Sequence, residues 1–323
     1  MTDKKTIVVT GASGYIGGEI ALKLHDLGHR VIGIDRVAVP DRFKPMIPNF
    51  VNLNFGDRQT LEYIASWKPD AIIHCAGSSL VGPSMRDPSD YYINNVAQSI
   101  KLIEMIRERL PTTRLIFSSS AAVYGTPILT PCHEVDPCEP ISPYGESKRM
   151  FEQMLNSYQT AYGLDYVAFR FFNACGADSQ GRHGQNSGAT HIISRVVESI
   201  YHDQEFVLNG DQFPTDDGTC VRDYVHVEDI ATAHISALNL DVPSGVYNLG
   251  SGVGTSNKQI IDAAERITGK KLKLTVGPTR AGDPAILTAN SSKFERVAGS
   301  WRTFDLDDMI THAWRWQHTR ENT

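Results

Sequence analysis

The chain has 323 residues, 41% hydrophobic and 21% charged, with a formal net charge of -6 and a pI near 6.0. That size and balance support a substantial core in one large domain or two coupled ones, and they exclude a function resting on a strongly basic nucleic-acid surface. No apolar run approaches the ~18 residues of a membrane helix, and Met1–Lys5 leads straight into a short apolar strand, so neither a membrane span nor a signal peptide is expected.

The five cysteines, an odd number scattered along the chain, read as reduced thiols of a cytoplasmic protein. Cys132 and Cys138 flank His133, but that group lacks the ligand number and spacing of a metal site, and no metal is expected.

In chain order, Thr6–Thr10 (TIVVT) reads as a buried strand because β-branched residues run without interruption. Tyr15–Leu27 has helical spacing, and Arg30–Asp35 and Phe50–Asn54 read as the next strands. A helix around Gln59–Trp67, a strand Ala71–Cys75, a long helix Asp90–Arg109, a strand Thr113–Ser119, a second long helix Tyr144–Tyr162 and a strand Asp165–Phe171 follow. This alternation predicts a Rossmann-type, doubly wound parallel sheet over residues 1–172. Beyond it, Gly, Asn and Asp cluster in 173–188 and 210–218 and read as loops. Residues 173–323 are expected to form a smaller α/β lobe that sends return segments to the first. Its helices are placed at Thr190–His202, Val227–Leu238, Ser256–Thr268 and Asp307–Gln317.

Thr10–Gly17 (TGASGYIG) follows the first strand and opens the first helix. Gly11, Gly14 and Gly17 let the backbone turn tightly and approach a pyrophosphate, while Tyr15 and Ile16 bring the free N–H groups of a helix start. Asp35, eighteen residues after Gly17, ends the second strand where a carboxylate can accept from an adenosine ribose. Asp35 argues for NAD, because it would repel a 2′-phosphate, whereas the adjacent Arg36 suits NADP. Asp57 is placed either to reach the adenine or to cap the helix that follows it.

Tyr144 and Lys148 are four residues apart, hence on one helix face, and an ammonium beside a phenol lowers the phenol's pKa toward the working range. A phenolate of that kind removes a proton from a sugar hydroxyl. By themselves these two residues also fit an exposed amphipathic helix. Ser118 and Ser120, closing the preceding strand, bring further groups to the same sheet edge, with Ser120 on the hydroxyl that Tyr144 would deprotonate.

The glycine run, the strand-end serine and Tyr144–Lys148 resemble the extended short-chain dehydrogenases. More specifically, Phe117–Gly125 (FSSSAAVYG), Ser142–Lys148 (SPYGESK), Phe171–Asn173 (FFN), Pro214–Asp229 (PTDDGTCVRDYVHVED), Tyr247–Gly250 (YNLG) and Trp314–Gln317 (WRWQ) resemble the UDP-glucose 4-epimerases. The similarity spans nearly the whole chain.

The resemblance implies retained NAD, held at Gly11, Gly14, Gly17, Asp35, Asp57, Cys75, Ala76, Gly77, Ser79, Asn94, Ser120, Tyr144, Lys148 and Phe172. It implies a UDP-sugar held at Asn173, His191, Ile192, Val207, Asn209, Arg222, Arg280 and Asp283, with UDP-glucose and UDP-galactose as substrates and a homodimer formed through the two long helices. Guanidinium forks suit pyrophosphate oxygens, although Arg222 and Arg280 equally fit surface ion pairs. Ser79 departs from the lysine of many relatives and predicts weaker NAD retention. Phe171 replaces a common tyrosine. Leu287, at the position that governs entry of N-acetylated sugars, is of intermediate bulk. UDP-N-acetylhexosamines and UDP-pentoses share the machinery and are the alternative substrates. A 4,6-dehydratase would need a carboxylate after Ser120, where Ala121 and Ala122 stand. A non-catalytic NAD-binding regulator would not need Ser120, Tyr144 and Lys148 together.

Overall fold

The computed structural model describes residues 4–239, 241–279 and 284–322. Its first half alternates β1 (Thr6–Thr10), α1 (Tyr15–Asp26), β2 (Arg30–Ile34), β3 (Asn49–Val51), α2 (Arg58–Trp67) and β4 (Ala71–His74). It continues with α3 (Val81–Arg86), α4 (Pro88–Tyr91), α5 (Gln98–Arg109), β5 (Arg114–Ser120), α6 (Pro143–Tyr162) and β6 (Tyr166–Phe171). The expected helix over 90–109 is interrupted. A π-helical turn, Tyr92–Ala97, lies between α4 and α5 and turns two successive asparagines, Asn94 and Asn95, inward to burial.

Among the described residues, the second half holds seven short strands that its loop-rich composition did not announce. They are β7 (Asn173–Cys175), β8 (Glu205–Asn209), β9 (Val221–His226), β10 (Gly245–Leu249), β11 (Gly254–Ser256), β12 (Lys273–Gly277) and β13 (Ile286–Leu287). Each is two to six residues long, too short for a period to emerge from its neighbours. Between and after them lie α7 (Ile192–Tyr201), α8 (Val227–Ser236), α9 (Asn257–Thr268), α10 (Ser292–Ala298) and α11 (Leu306–Glu321).

The main sheet has seven parallel strands in the order β10-β6-β5-β4-β1-β2-β3, a doubly wound arrangement with its reversal between β1 and β4. β10 enters this sheet from the second half of the chain. One face is closed by Ile20 and Leu24 of α1, Ile230 and Ala233 of α8, and Phe294 of α10. The other is closed by Leu102 and Ile106 of α5 and by Phe151 and Leu155 of α6. Each fully buried Leu or Ile contributes ~1.5–3 kcal/mol, so these faces fix the helices on the sheet. The smaller lobe packs α7, α9 and α11 around a separate core containing Ile193, Ile260 and Ile310. No helix among the described residues is long and apolar enough to cross a membrane.

α6 shows why these residues form this element here. Ser142 caps its start by accepting from the Gly145 amide at 3.2 Å, and Pro143 occupies the first turn, where its missing N–H is harmless. Gly163 ends the helix at φ +73°, a left-handed geometry open to glycine. Between these signals Phe151 and Leu155 bury against the sheet and set which face, carrying Tyr144 and Lys148, turns inward.

Candidate active site

A cleft of about 810 Å³ runs over the carboxyl edge of the main sheet. Its floor begins at the glycine turn. Gly11 has φ +74°, and a Cβ on Gly17 would stand 2.2 Å from the Gly11 carbonyl oxygen, so the turn and the helix start touch backbone to backbone. Gly14 supplies no side chain to cap α1, which leaves the first-turn N–H groups, those of Tyr15 and Ile16 among them, for a ligand. Asp35 is held by the Ser13 amide at 3.1 Å and the Val37 amide at 3.0 Å and lines the same wall. Bare backbone donors beside a fixed carboxylate, with no room for side chains between, fit the pyrophosphate and ribose of a dinucleotide.

The cleft wall also contains Gly11, Gly14, Gly17, Arg36, Cys75, Ala76, Gly77, Ser79, Asn94, Ser118, Ser120, Tyr144, Lys148, Phe172, Asn173, His191, Arg222 and Leu287. Asp57, Ile192, Val207 and Asn209 are not among the described lining residues. Asp57 precedes α2 at its cap position without a side-chain capping bond, and Val207 is 40% exposed on β8. Arg280 and Asp283 lie outside the described residues. The sequence reading missed the stretch 185–190, which lines the cleft ahead of His191, as well as Ile141 and Ser142. The Gly, Asn and Ser richness of 185–190 signalled a loop but not which edge it would reach.

At the centre, three elements meet. The Ser120 hydroxyl hydrogen-bonds the Tyr144 phenol and also accepts from the Ala122 amide at 3.2 Å. A Cβ on Gly145 would lie 2.5 Å from the Ala122 carbonyl oxygen, so α6 can approach the Ser120 turn this closely only with glycine there. Lys148 donates to the Ser118 carbonyl at 2.8 Å, with its ammonium 4.7 Å from the centre of the Phe117 ring. Asn95 donates to Ser147 at 2.9 Å and accepts from the Ser78 amide at 2.8 Å, while Asn94 donates to the Ser78 hydroxyl at 3.1 Å.

The electrostatics correct one expectation. Burial raises the Tyr144 phenol above its ordinary value, the Ser120 hydrogen bond opposes that rise, and the nearby Tyr91 adds to it. The ammonium is committed to the Ser118 carbonyl and lies 6.0 Å from the centre of the phenol ring, so it acts along the helix face rather than in contact with the hydroxyl. Burial in turn holds Lys148 down to about 8, with Cys75 and Glu152 opposing that shift.

A doubly wound parallel sheet with a glycine-cradled helix start, and a Ser–Tyr–Lys cluster at its carboxyl edge, defines a dinucleotide-dependent α/β enzyme class. The chain belongs to the NAD dependent epimerase/dehydratase family, whose pattern matches residues 7–250. It is 40% identical over 317 residues to a UDP-glucose 4-epimerase of Halalkalibacterium halodurans, covering 96% of this chain and 95% of that one. The crystal structure of UDP-glucose 4-epimerase from Brucella ovis in complex with NAD superimposes with a TM-score of 0.90 at 36% identity, covering 96% of this chain and 97% of that chain. The enzyme from Bifidobacterium longum in complex with NAD+ and UDP gives 0.91 at 32% identity, covering 98% and 99%.

Proposed function

We propose that the chain is an NAD-dependent 4-epimerase that interconverts UDP-glucose and UDP-galactose through a 4-keto intermediate. The carrying observation is the meeting of Ser120, Tyr144 and Lys148 in one cleft with the Gly11–Gly17 turn and Asp35. Tyr144 acts as base toward the hexose 4-hydroxyl and later returns that proton, while Ser120 holds the same oxygen through both halves. Lys148 keeps positive charge on the cluster from its seat on the Ser118 carbonyl. NAD, when bound on the glycine turn and Asp35, supplies the acceptor and donor of hydride and a positively charged ring. Arg222, in the wall, suits the UDP phosphates. Ala121 and Ala122 follow Ser120, so a dehydratase's carboxylate has no counterpart there. The relatives named above carry the same activity in their names. We further assign a cytoplasmic homodimer that pairs through α5 and α6, where Ile100 and Tyr162 are exposed.

Purified protein incubated with UDP-galactose, without added cofactor, tests this. UDP-glucose in the products supports both the chemistry and NAD retention. Product only after NAD is added keeps the chemistry and points to the Ser79 substitution. Turnover of an acetamido or pentose UDP-sugar alone changes the substrate, and inertness toward all of them removes the proposal.

A further inference from the structure

Three successive residues at the end of β5 each engage one side chain on a single face of α6. The Ser118 carbonyl accepts from Lys148, the Ser120 hydroxyl meets Tyr144, and between them the Ser119 hydroxyl donates to Glu152 at 2.5 Å. Tyr144, Lys148 and Glu152 are spaced by four residues and so stack along that face. Strand alternation accounts for two of the three: Ser119 points toward α6 with Phe117, while the Ser118 hydroxyl points to the other face, toward His234 of α8, so that Ser118 reaches α6 only through its carbonyl.

Glu152 is 5% exposed and fully engaged. Arg170 of β6 donates to it through Nε at 3.0 and 3.1 Å and through Nη2 at 2.6 Å. The remaining Arg170 nitrogen donates to the Tyr124 hydroxyl at 3.0 Å and to the Glu134 carbonyl at 3.3 Å, and Tyr124 donates to Asn248 of β10 at 2.7 Å. Both Tyr124 and Asn248 are buried. One polar network therefore spans α6, β5, β6, β10 and the turn after Ser120. A buried pair of this kind adds little net stability over an apolar replacement, which leaves geometry as its consequence.

We infer that Glu152, fixed by Arg170, is a positioning residue: through Ser119 it sets the register of α6 against β5, and it places a carboxylate one helical turn from Lys148. The inference rests on the proposed function for its kinetic meaning, and on the contacts alone for its geometry. The groups facing Glu152 are Arg170 and Tyr166 from β6, Lys148 on α6 and Cys138 from the loop before it; those facing Lys148 also include His74 of β4 and Cys75 just after it. The positive charge that dominates around Glu152 is the one bonded to it.

Glu152→Gln keeps the shape and the acceptor for Ser119 but removes the charge. The expected result is a kcat loss on the order of 100-fold with KM for the UDP-sugar little changed, as for a misplacement of reacting groups, and an alkaline limb of the kcat profile moved to lower pH. Independently of turnover, competitive acylation of the Lys148 amine across pH should show its titration midpoint lowered. Ser119→Ala, which breaks only the clamp, should lower kcat without moving that midpoint. Asp165→Asn, at the Arg114 ion pair on the opposite end of β5, should lower thermal stability with neither effect. A wild-type kcat and Lys148 titration in Glu152→Gln overturns the inference, as does wild-type kcat in Ser119→Ala should Glu152→Gln not fold. An inactive wild-type enzyme would remove the proposed function, while the Lys148 titration would still decide the role of Glu152.

Discussion

Tyr144 is the residue on which the proposed chemistry depends most directly, and its hydroxyl is paired with Ser120. Tyr144→Phe should leave folding intact, as read by circular dichroism, and lower kcat by the ~100- to 10,000-fold typical of a lost acid–base group. Glu19 on α1 presents a different case. Its carboxyl, the Asp178 carboxylate and the Glu228 carboxylate each place an oxygen within 4.8 Å of the others, and Glu19 Oε2 has no hydrogen-bond partner. Burial first, and Asp178 and Glu228 next, push the Glu19 carboxyl well above its ordinary range, which favours its protonated form in the folded chain. An acid raised on folding weakens stability as pH climbs above the ordinary carboxyl pKa, because only the unfolded chain gains by releasing the proton. Glu19→Gln should therefore raise the melting temperature at pH 7–8, with the gain vanishing near pH 4 in a thermal-denaturation series.

Among the elements, α6 carries the site, and its N-terminal turn has two separable supports. Ser142→Ala removes the cap and should cost about 1 kcal/mol in denaturant unfolding, with the Tyr144 geometry kept by packing. Gly145→Ala should act on function first, since the new methyl meets the Ala122 carbonyl at 2.5 Å and must separate α6 from the Ser120 turn. Its expected signature is a fall in kcat larger than its loss of stability implies. The π-helical turn before α5 contributes at the same edge, where Asn94 donates to the Ser78 hydroxyl and Asn95 to the Ser78 carbonyl.

At the level of the whole molecule, three buried histidines tie strands to the helices packed on them while neutral. His74 lies between Thr10 and Ser99, and His234 between Ser118 and the Ile230 carbonyl. His226 accepts from the Glu228 amide through Nδ1 and so donates through Nε2 to His312 at 2.9 Å, joining β9 to α11. Burial holds His74 and His226 down to about 3 and His234 down to about 4. Bases depressed on folding leave the unfolded chain to take up protons first. Stability is thus full above pH 6.5 and falls as pH drops through 6.5 toward 3–4, with each histidine adding a slope of up to ~1.4 kcal/mol per pH unit. Urea unfolding between pH 7 and 4.5 should show this decline, reduced in a His226→Gln variant.

The sequence by itself determined the parallel sheet of the first half, because β-branched runs and helical spacing alternate in segments long enough to show their period, as in Thr6–Thr10 and Tyr144–Tyr162. It determined the glycine turn, Asp35 and the Tyr144–Lys148 face as well, since these are local patterns of backbone freedom and spacing. Only the tertiary structure decided the rest. Two- to six-residue strands such as β13 gain their stability from partners far along the chain, so their own residues carry no period. β10 crosses back into the main sheet for the same reason. The phenol's environment likewise came from burial and from the commitment of Lys148 to the Ser118 carbonyl, neither of which spacing along a helix can express. The Ser119–Glu152–Arg170 contacts join three elements, and the physical cause is that a buried charge must find its partner wherever the fold brings one.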